Sequence, residues 1–223
     1  MKIISIEGNI GSGKSTLLEN LKQEFKHNKN IIFLREPVDE WESIRDSKGT
    51  SMIEKFYADQ DKYSFSFQMM AYISRLALLK KAVENNDNYI IITERSLYTD
   101  KHVFAQLLYD NGKIEDVNYQ IYLKWFDTFS SDFPVDKIIY VNTSPEICHK
   151  RIAKRSRNGE GVIPLEYLDR CHQYHTNMLS NSEVCQNQLV IDGNVDISEN
   201  IPIKGFQRRY PLQIWIEKIK EFI

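Results

Sequence analysis

The run Gly8-Asn9-Ile10-Gly11-Ser12-Gly13-Lys14-Ser15-Thr16 follows directly on an apolar segment, Ile3-Ile4-Ser5-Ile6. It fits the pattern G-x-x-x-x-G-K-[ST] and has the context that pattern needs. A strand precedes it, and Leu17, Leu18, Leu21 and Phe25 mark a helix after it. Glycine accepts positive φ angles, which turn successive backbone N–H groups inward to form an anion nest. Lys14 is placed to reach the outer phosphates of a nucleoside triphosphate, and the Ser15 hydroxyl to hold Mg²⁺. A plain glycine turn with an exposed lysine would not call for this flanking order.

Charged residues also follow the next two apolar runs. Ile31 to Leu34 leads into Arg35-Glu36-Pro37, and Tyr89 to Thr93 into Glu94-Arg95-Ser96. In a parallel sheet, ligands sit beyond the carboxyl ends of the strands, so these groups converge beside the phosphate loop. Phosphoryl transfer needs a positioned acceptor, neutralised phosphate charge and a base for the acceptor's proton. Glu36 is the candidate base. Arg95 is the candidate clamp, since a guanidinium can bridge donor and acceptor oxygens. Glu94 is a candidate Mg²⁺ ligand, directly or through water. Adjacent strand residues point to opposite faces, which would give Glu94 and Arg95 different tasks.

The elements that position these groups alternate. Lys137 to Val141 and Leu189 to Ile191 complete a set of five short, mostly β-branched runs that do not alternate in polarity. Such strands are covered on both faces. The longest helical pattern runs from about Asp61 to Asn85, with Phe65, Met69, Tyr72, Ile73, Leu76, Leu79 and Val83 at helical spacing. Others start near Pro145, where Thr143 or Ser144 can cap, after Pro164, and from about Pro211. The order predicts an α/β fold with a central five-stranded parallel sheet flanked by helices, in one domain over residues 1–223.

Two further groupings bear on chemistry. Gln68, Ala71 and Arg75 share one face of the long helix. A solvated face and a polar edge lining a cavity both fit that spacing. If the stripe faces inward, the arginine needs an anion, and Asp100, just after the third strand, can supply it. Lys150 to Arg157 holds five cations in eight residues, at a helix end and before Asn158-Gly159-Glu160-Gly161. Cations suit a helix C-terminus in any protein. Beside a phosphate loop they predict an arginine-rich lid, about 151–163, closing over the transferred phosphate.

Composition narrows the field. A net charge of −2 provides no global basic field for a nucleic-acid polymer. No run approaches the ~20 apolar residues a membrane span needs. The first strand begins at residue 2, leaving no room for a signal or transit segment, so a cytoplasmic location is expected. Cys148, Cys171 and Cys185 are odd in number and lack C-x-x-C spacing, which fits free thiols. Cys171, His172 and His175 fall in an expected amphipathic helix without a fourth ligand, so no structural metal is expected.

With these segments placed, the chain resembles the deoxynucleoside kinases, specifically the deoxycytidine and deoxyguanosine kinase branch, over nearly its full length. The likeness rests on Glu7 to Thr16, Glu36-Pro37-Val38 with Trp41, Ser64 to Gln68, Glu94-Arg95-Ser96, Arg151 to Arg157 and Ile163 to Leu168. The phosphate loop alone is shared by many families; the ordered set is specific. The resemblance implies that Glu36 deprotonates a nucleoside 5′-hydroxyl beside Arg95, and that Tyr57 and Glu160 grip the 3′-hydroxyl. It implies that Gln68 reads the base edge between Phe67 and Phe104, with Trp41 and Ile53 lining the pocket. Arg151, Arg155 and Arg157 match lid arginines, and Asp192, Gly193 and Asn194 a loop near the donor base. Ala71, Arg75 and Asp100 match the branch that accepts deoxycytidine and deoxypurines, whereas thymidine-accepting relatives carry a larger, a non-basic and a small residue there. Met69 and Met70 depart from that branch and blur the preference among the three bases.

The resulting expectation is an ATP- and Mg²⁺-dependent kinase acting on a deoxynucleoside, and a homodimer by resemblance alone. A nucleoside monophosphate kinase also pairs a phosphate loop with an arginine lid, but would need further cations for the acceptor phosphate. A non-catalytic relative serving as a subunit would have lost parts of the set Lys14, Ser15, Glu36, Glu94 and Arg95, all of which are present.

Overall fold

The computed structural model describes residues 1–84, 89–155, 161, 163–181, 184–197, 201–202 and 208–223. Five strands form one sheet: β1 (Lys2–Glu7), β2 (Ile31–Leu34), β3 (Ile90–Glu94), β4 (Lys137–Asn142) and β5 (Gln188–Asp192). Their order is β2-β3-β1-β4-β5 and every pairing is parallel. The chain leaves β1 toward one side of the sheet, and the connection after β3 crosses to the other. That reversal beside β1 opens a crevice at the strands' carboxyl ends.

Period-two alternation in β1 divides the core. Ile4 and Ile6 pack with Leu17, Leu18 and Leu21 of α1 (Lys14–Glu24) and with Trp215 and Ile219 of α10 (Pro211–Phe222). Ile3 faces the other way, onto Tyr72, Leu76 and Leu79 of the long helix α4 (Gln60–Val83). Ser5 and Glu7 lie on that second face too, and both are fully buried. Three hydroxyls meet the Glu7 carboxylate: Ser5 and Ser96 donate to Oε1 at 2.5 and 2.8 Å, and Thr99 donates to Oε2 at 2.5 Å.

The five strands and the helices α4, α8 (Pro145–Arg155), α9 (Leu165–Ser180) and α10 lie where the pattern predicts them. Boundaries shift slightly: β3 begins at Ile90 and takes in Glu94, and α4 ends at Val83. Four helical stretches lacked a clear pattern. Two of them, α2 (Val38–Ser43) and α3 (Met52–Ala58), span too few turns to show a period. A capping box between Ser51 and Glu54 starts α3. In α7 (Asp116–Phe129), Tyr119, Tyr122 and Phe126 are buried while Val117, Ile121 and Trp125 are exposed, so apolar residues on both faces blur the stripe.

The fourth stretch carries site residues. After β3 come α5 (Leu97–Thr99), a π-helical segment at Asp100–Ala105 and α6 (Gln106–Asp110). Wider turns of this kind re-aim side chains and recur at functional sites. Here the π segment holds Asp100 and Phe104. A short antiparallel pair, β6 (Ile201–Pro202) with β7 (Arg208–Arg209), had no counterpart in the pattern.

Candidate active site

β1 feeds the chain into the phosphate loop. Gly11 has φ 79°, and a Cβ there would meet the Cys148 carbonyl oxygen at 2.7 Å; Gly13 has φ 104° and precedes α1. Both positions strain any other residue. Asn9 fastens the loop, its Nδ2 donating to the Leu168 carbonyl at 2.8 Å and its Oδ1 accepting from Ile10 N at 2.8 Å. The Ser12 carbonyl accepts from Thr143 Oγ1 and from Arg151 Nη1, each at 3.1 Å. Thr143 therefore braces the loop in addition to standing near the start of α8. Its place depends on Gly193, where a Cβ would collide with Thr143 Oγ1.

Lys14 is buried, with Nζ donating to the Asn9 carbonyl at 2.7 Å. Burial foremost, and then Arg95, push its pKa down to about 8. Ser15 Oγ donates to Glu94 Oε1 at 2.5 Å. A hydroxyl beside a carboxylate is an all-oxygen donor pair, which suits a hard divalent cation such as Mg²⁺.

Beyond the loop, opposite charges interlock. Arg75 Nε donates to Asp100 Oδ2 at 2.8 Å, Nη2 to Asp100 Oδ1 at 3.3 Å and Nη1 to the Glu94 carbonyl at 2.6 Å. Arg75 Nη2 also reaches Glu36 Oε1 at 3.1 Å, and Arg95 Nε meets the same oxygen at 3.1 Å. Burial pushes the Glu36 carboxyl up, but Arg95 and then Arg75 outweigh it and hold the group below its ordinary range. Arg75 stays protonated, its burial outweighed by Asp100 and Glu36.

Arg95 is not a strand residue. Its φ is 64°, left-handed, and its N–H donates to the Ile6 carbonyl at 3.0 Å. Glu94 and Arg95 therefore do not part to opposite faces as strand alternation would require: both line the same cavity. Such a conformation persists only where its surroundings impose it. Here Ser96 and Thr99 are tied to Glu7, Arg95 Nη1 donates to the Gly8 carbonyl at 2.8 Å, and the guanidinium lies 4.8 Å from the Phe104 ring centre.

These groups line a cavity of about 420 Å³. Its lining joins Ile10, Gly11, Gly13, Lys14, Ser15, Thr16, Arg151 and Arg155 to Glu36, Glu94 and Arg95. Trp41, Ile53, Tyr57, Phe67, Gln68, Ala71, Asp100 and Phe104 line the same cavity. Trp41 meets Phe67 edge-on at 5.6 Å and donates from Nε1 to Ser74 Oγ at 2.8 Å, while Phe56 stacks on Phe67 at 4.4 Å. The stripe Gln68, Ala71, Arg75 faces inward, and all three are buried. Arg75 does not line the cavity itself: it stands behind Asp100 and Glu36, orienting both.

Other expected residues lie elsewhere. Arg157 and Glu160 fall outside the described residues, as do 156–160 and 162 of the expected lid as a whole. Gly8, Asn9 and Ser12 build the loop from behind. Asp192, Gly193 and Asn194 do not line the cavity: Asn194 Oδ1 accepts from Ser144 N at 2.8 Å, and Asp192 Oδ1 accepts from Asn194 N at 3.0 Å. Val38, Phe56 and Tyr167 line the cavity without having been singled out. Val38 and Tyr167 stood in the sequence only as members of the motifs Glu36-Pro37-Val38 and Ile163 to Leu168, and Phe56 only by an apolar character that most core residues share.

A family model described as deoxynucleoside kinase matches residues 4–203. The chain belongs to the deoxynucleoside kinase family. It is 37% identical to "Probable deoxycytidine kinase FPV151" of Fowlpox virus (strain NVSL), over 81% of this chain and 73% of that protein. It is 31% identical to the deoxycytidine kinase of Homo sapiens, over 100% of this chain and 91% of the relative. It is 35% identical to human "Thymidine kinase 2, mitochondrial", over 79% and 64%. The kinase uses a nucleoside triphosphate and a divalent metal ion, and no described helix is long and apolar enough to cross a membrane.

Lys14 gives this kinase a testable proton linkage. A bound triphosphate favours the charged ammonium, so a group that titrates at about 8 in the empty site must take up a proton when the anion binds. Calorimetry at pH 8 in buffers of different ionisation enthalpy should show uptake of about half a proton, with affinity falling as the pH rises further. Equal heats in all buffers would rule out this state of Lys14, and Lys14→Met should abolish the uptake.

Proposed function

We propose that this kinase transfers the γ-phosphoryl group of ATP to the 5′-hydroxyl of a deoxynucleoside, favouring deoxycytidine, deoxyadenosine and deoxyguanosine over thymidine. The observation that carries the reading is that one cavity joins the phosphate loop, Glu36 with Arg95, and Gln68 with Asp100. Those three groups suit triphosphate, reacting hydroxyl and base. The names of the relatives point to both deoxycytidine and thymidine acceptors, so the preference rests on Gln68, Ala71 and Asp100 of the cavity lining.

Glu36 is held ionised by Arg95 and Arg75, ready to take the hydroxyl proton as the new P–O bond forms and the bond to the leaving diphosphate breaks. Arg95, Lys14 and the lid arginines Arg151, Arg155 and Arg157 neutralise the phosphoryl oxygens. Ser15 and Glu94 would hold Mg²⁺, which supplies further charge neutralisation when bound. Tyr57 and Glu160 would hold the 3′-hydroxyl, and Phe67 and Phe104 would flank the base.

Charge decides the base preference. Burial pushes the Asp100 carboxyl above its ordinary range and Arg75 opposes that shift; as a carboxylate it would accept from an exocyclic amine of cytosine or adenine, or from guanine N–H groups. Thymine offers a carbonyl and a methyl group there, repelled and crowded respectively. Gln68 both donates and accepts, so it tolerates either kind of edge.

Residues 1–223 would act as one kinase domain, and two copies as a homodimer. Val117, Ile121 and Trp125 lie on one exposed face of α7, 66%, 41% and 48% exposed, with Ile73 of α4 exposed as well. Apolar stripes left open on a helix mark association surfaces. The free thiols of Cys148, Cys171 and Cys185 favour a reducing, cytoplasmic setting.

Four measurements test this reading. Initial rates with ATP and Mg²⁺ should be high for the first three nucleosides and low for thymidine, and negligible with dCMP or dTMP as acceptor. Good thymidine turnover would sink the specificity argument while leaving the reaction. Replacing Arg75 alone would strand Asp100, a cost of about 3–5 kcal/mol, so Arg75→Met is best combined with Asp100→Ala and Ala71→Val. The triple variant should raise the thymidine to deoxycytidine ratio of kcat/KM at least about tenfold. Glu36→Gln should lower kcat by about 10²–10⁴ with little change in nucleoside affinity, and near-normal turnover would remove Glu36 from the base role. Sedimentation should give a dimer that Ile121→Asp dissociates; a monomeric wild-type protein would end that part of the proposal.

A further inference from the structure

His175 of α9 is fully buried, although its neighbours along that helix, Leu168, Cys171 and Met178, form an ordinary apolar face. An imidazole in such a place is costly unless both ring nitrogens are used. Nδ1 lies 2.7 Å from the Cys171 carbonyl one turn earlier, an acceptor only, so Nδ1 carries the proton and donates. Burial foremost, and then Arg95, hold the ring well below its ordinary pKa, so it is neutral. Nε2 is left as an acceptor, and 3.4 Å away stands Arg95 Nη1.

The ring is fixed on two more sides. Tyr140 of β4 lies near-parallel to it, 6.3 Å between centres, and Phe104 meets it edge-on at 6.3 Å. The face of Phe104 also supports the Arg95 guanidinium. One nitrogen of Arg95, Nη1, thus points toward two fixed acceptors, the Gly8 carbonyl and His175, while Nε pairs with Glu36.

We infer that His175 is a positioning residue: its unprotonated Nε2 accepts from Arg95 Nη1 and sets the rotation of the guanidinium, so that Nε stays on Glu36 and the remaining N–H groups face the transferred phosphate. This rests on the reading of Arg95 as the clamp. Phosphoryl transfer is almost wholly a matter of placement, and an error of about 1 Å can lower turnover about 10²-fold. A buried helix residue with no contact to either substrate therefore enters turnover through the angle of one side chain.

Two polar substitutions separate this role from packing. Glutamine at 175 can place its carbonyl oxygen near the Nε2 position. Asparagine can keep the hydrogen bond to Cys171 but reaches only as far as Nδ1. His175→Asn should lower kcat about tenfold or more with nucleoside KM changed less than about threefold, and His175→Gln should stay within about threefold of the native kcat. Both should melt at similar temperatures. In an Arg95→Met background, His175→Asn should cause no further loss, because it acts through the group removed. Native kcat in His175→Asn, or equal loss in both variants with additive effects in the double mutant, would overturn the inference. If Arg95→Met collapses turnover while His175→Asn does not, only the role of His175 fails. If Arg95→Met itself retains native kcat, the clamp reading fails and takes this inference with it.

Discussion

One carboxylate oxygen, Glu36 Oε1, is shared by two guanidiniums, Arg75 and Arg95, each 3.1 Å away. Few contacts place so many demands on a fold. Arg75 and Arg95 are almost wholly buried, and a buried cation without a counter-charge would cost several kcal/mol. Glu36, Asp100 and Glu94 supply that counter-charge against Arg75, Arg95 and Lys14, three carboxylates to three cations, while burial pulls the Lys14 pKa down to about 8 and pushes that of Asp100 up. Removing one member unbalances the others. The site is for that reason a single electrostatic object rather than a set of independent residues.

The fold supplies the members from four places. Lys14 arrives on the first turn of α1, Glu36 just beyond β2, Glu94 at the last position of β3, and Arg75 from the middle of α4. Only a parallel sheet brings the ends of β1, β2 and β3 to one edge, and β1 and β3 are hydrogen-bonded neighbours through Ile6 and Glu94. Arg95 and Asp100 need finer control. A left-handed backbone turns Arg95 back over the Gly8 carbonyl, and a π-helical segment begins at Asp100. Both irregularities sit next to Glu7, whose carboxylate collects the hydroxyls of Ser96 and Thr99. The regular sheet sets the site to within a residue or two, and this buried knot sets the angles.

That division explains what could be read from the chain. The strands, α4 and the phosphate loop follow from local rules: β-branched runs, helical spacing, and glycines where φ must be positive. Charged residues after β1, β2 and β3 were visible for the same reason, and Arg75 with Asp100 could be matched because a buried arginine requires an anion. The four short or two-faced helical stretches carried no period to read. Neither did the left-handed turn at Arg95, since nothing in Glu-Arg-Ser distinguishes it from a continuing strand. His175 was visible only as one histidine in an amphipathic helix. Its significance comes from a residue 80 positions away, which no local pattern contains.

The saturation of Arg75 also bears on how a base is selected. A guanidinium has five N–H donors. Arg75 commits donors to both oxygens of Asp100, to the Glu94 carbonyl and to Glu36, which leaves it little to offer a ligand. Asp100 lines the cavity and Arg75 does not. Under the proposed function, the side chain that meets the base is thus the acid, and the arginine acts by orienting it. Through Glu36 the same arginine would touch the reaction centre. Base selection and proton transfer would then share a wall, and a substitution made to relax one would disturb the charge balance of the other.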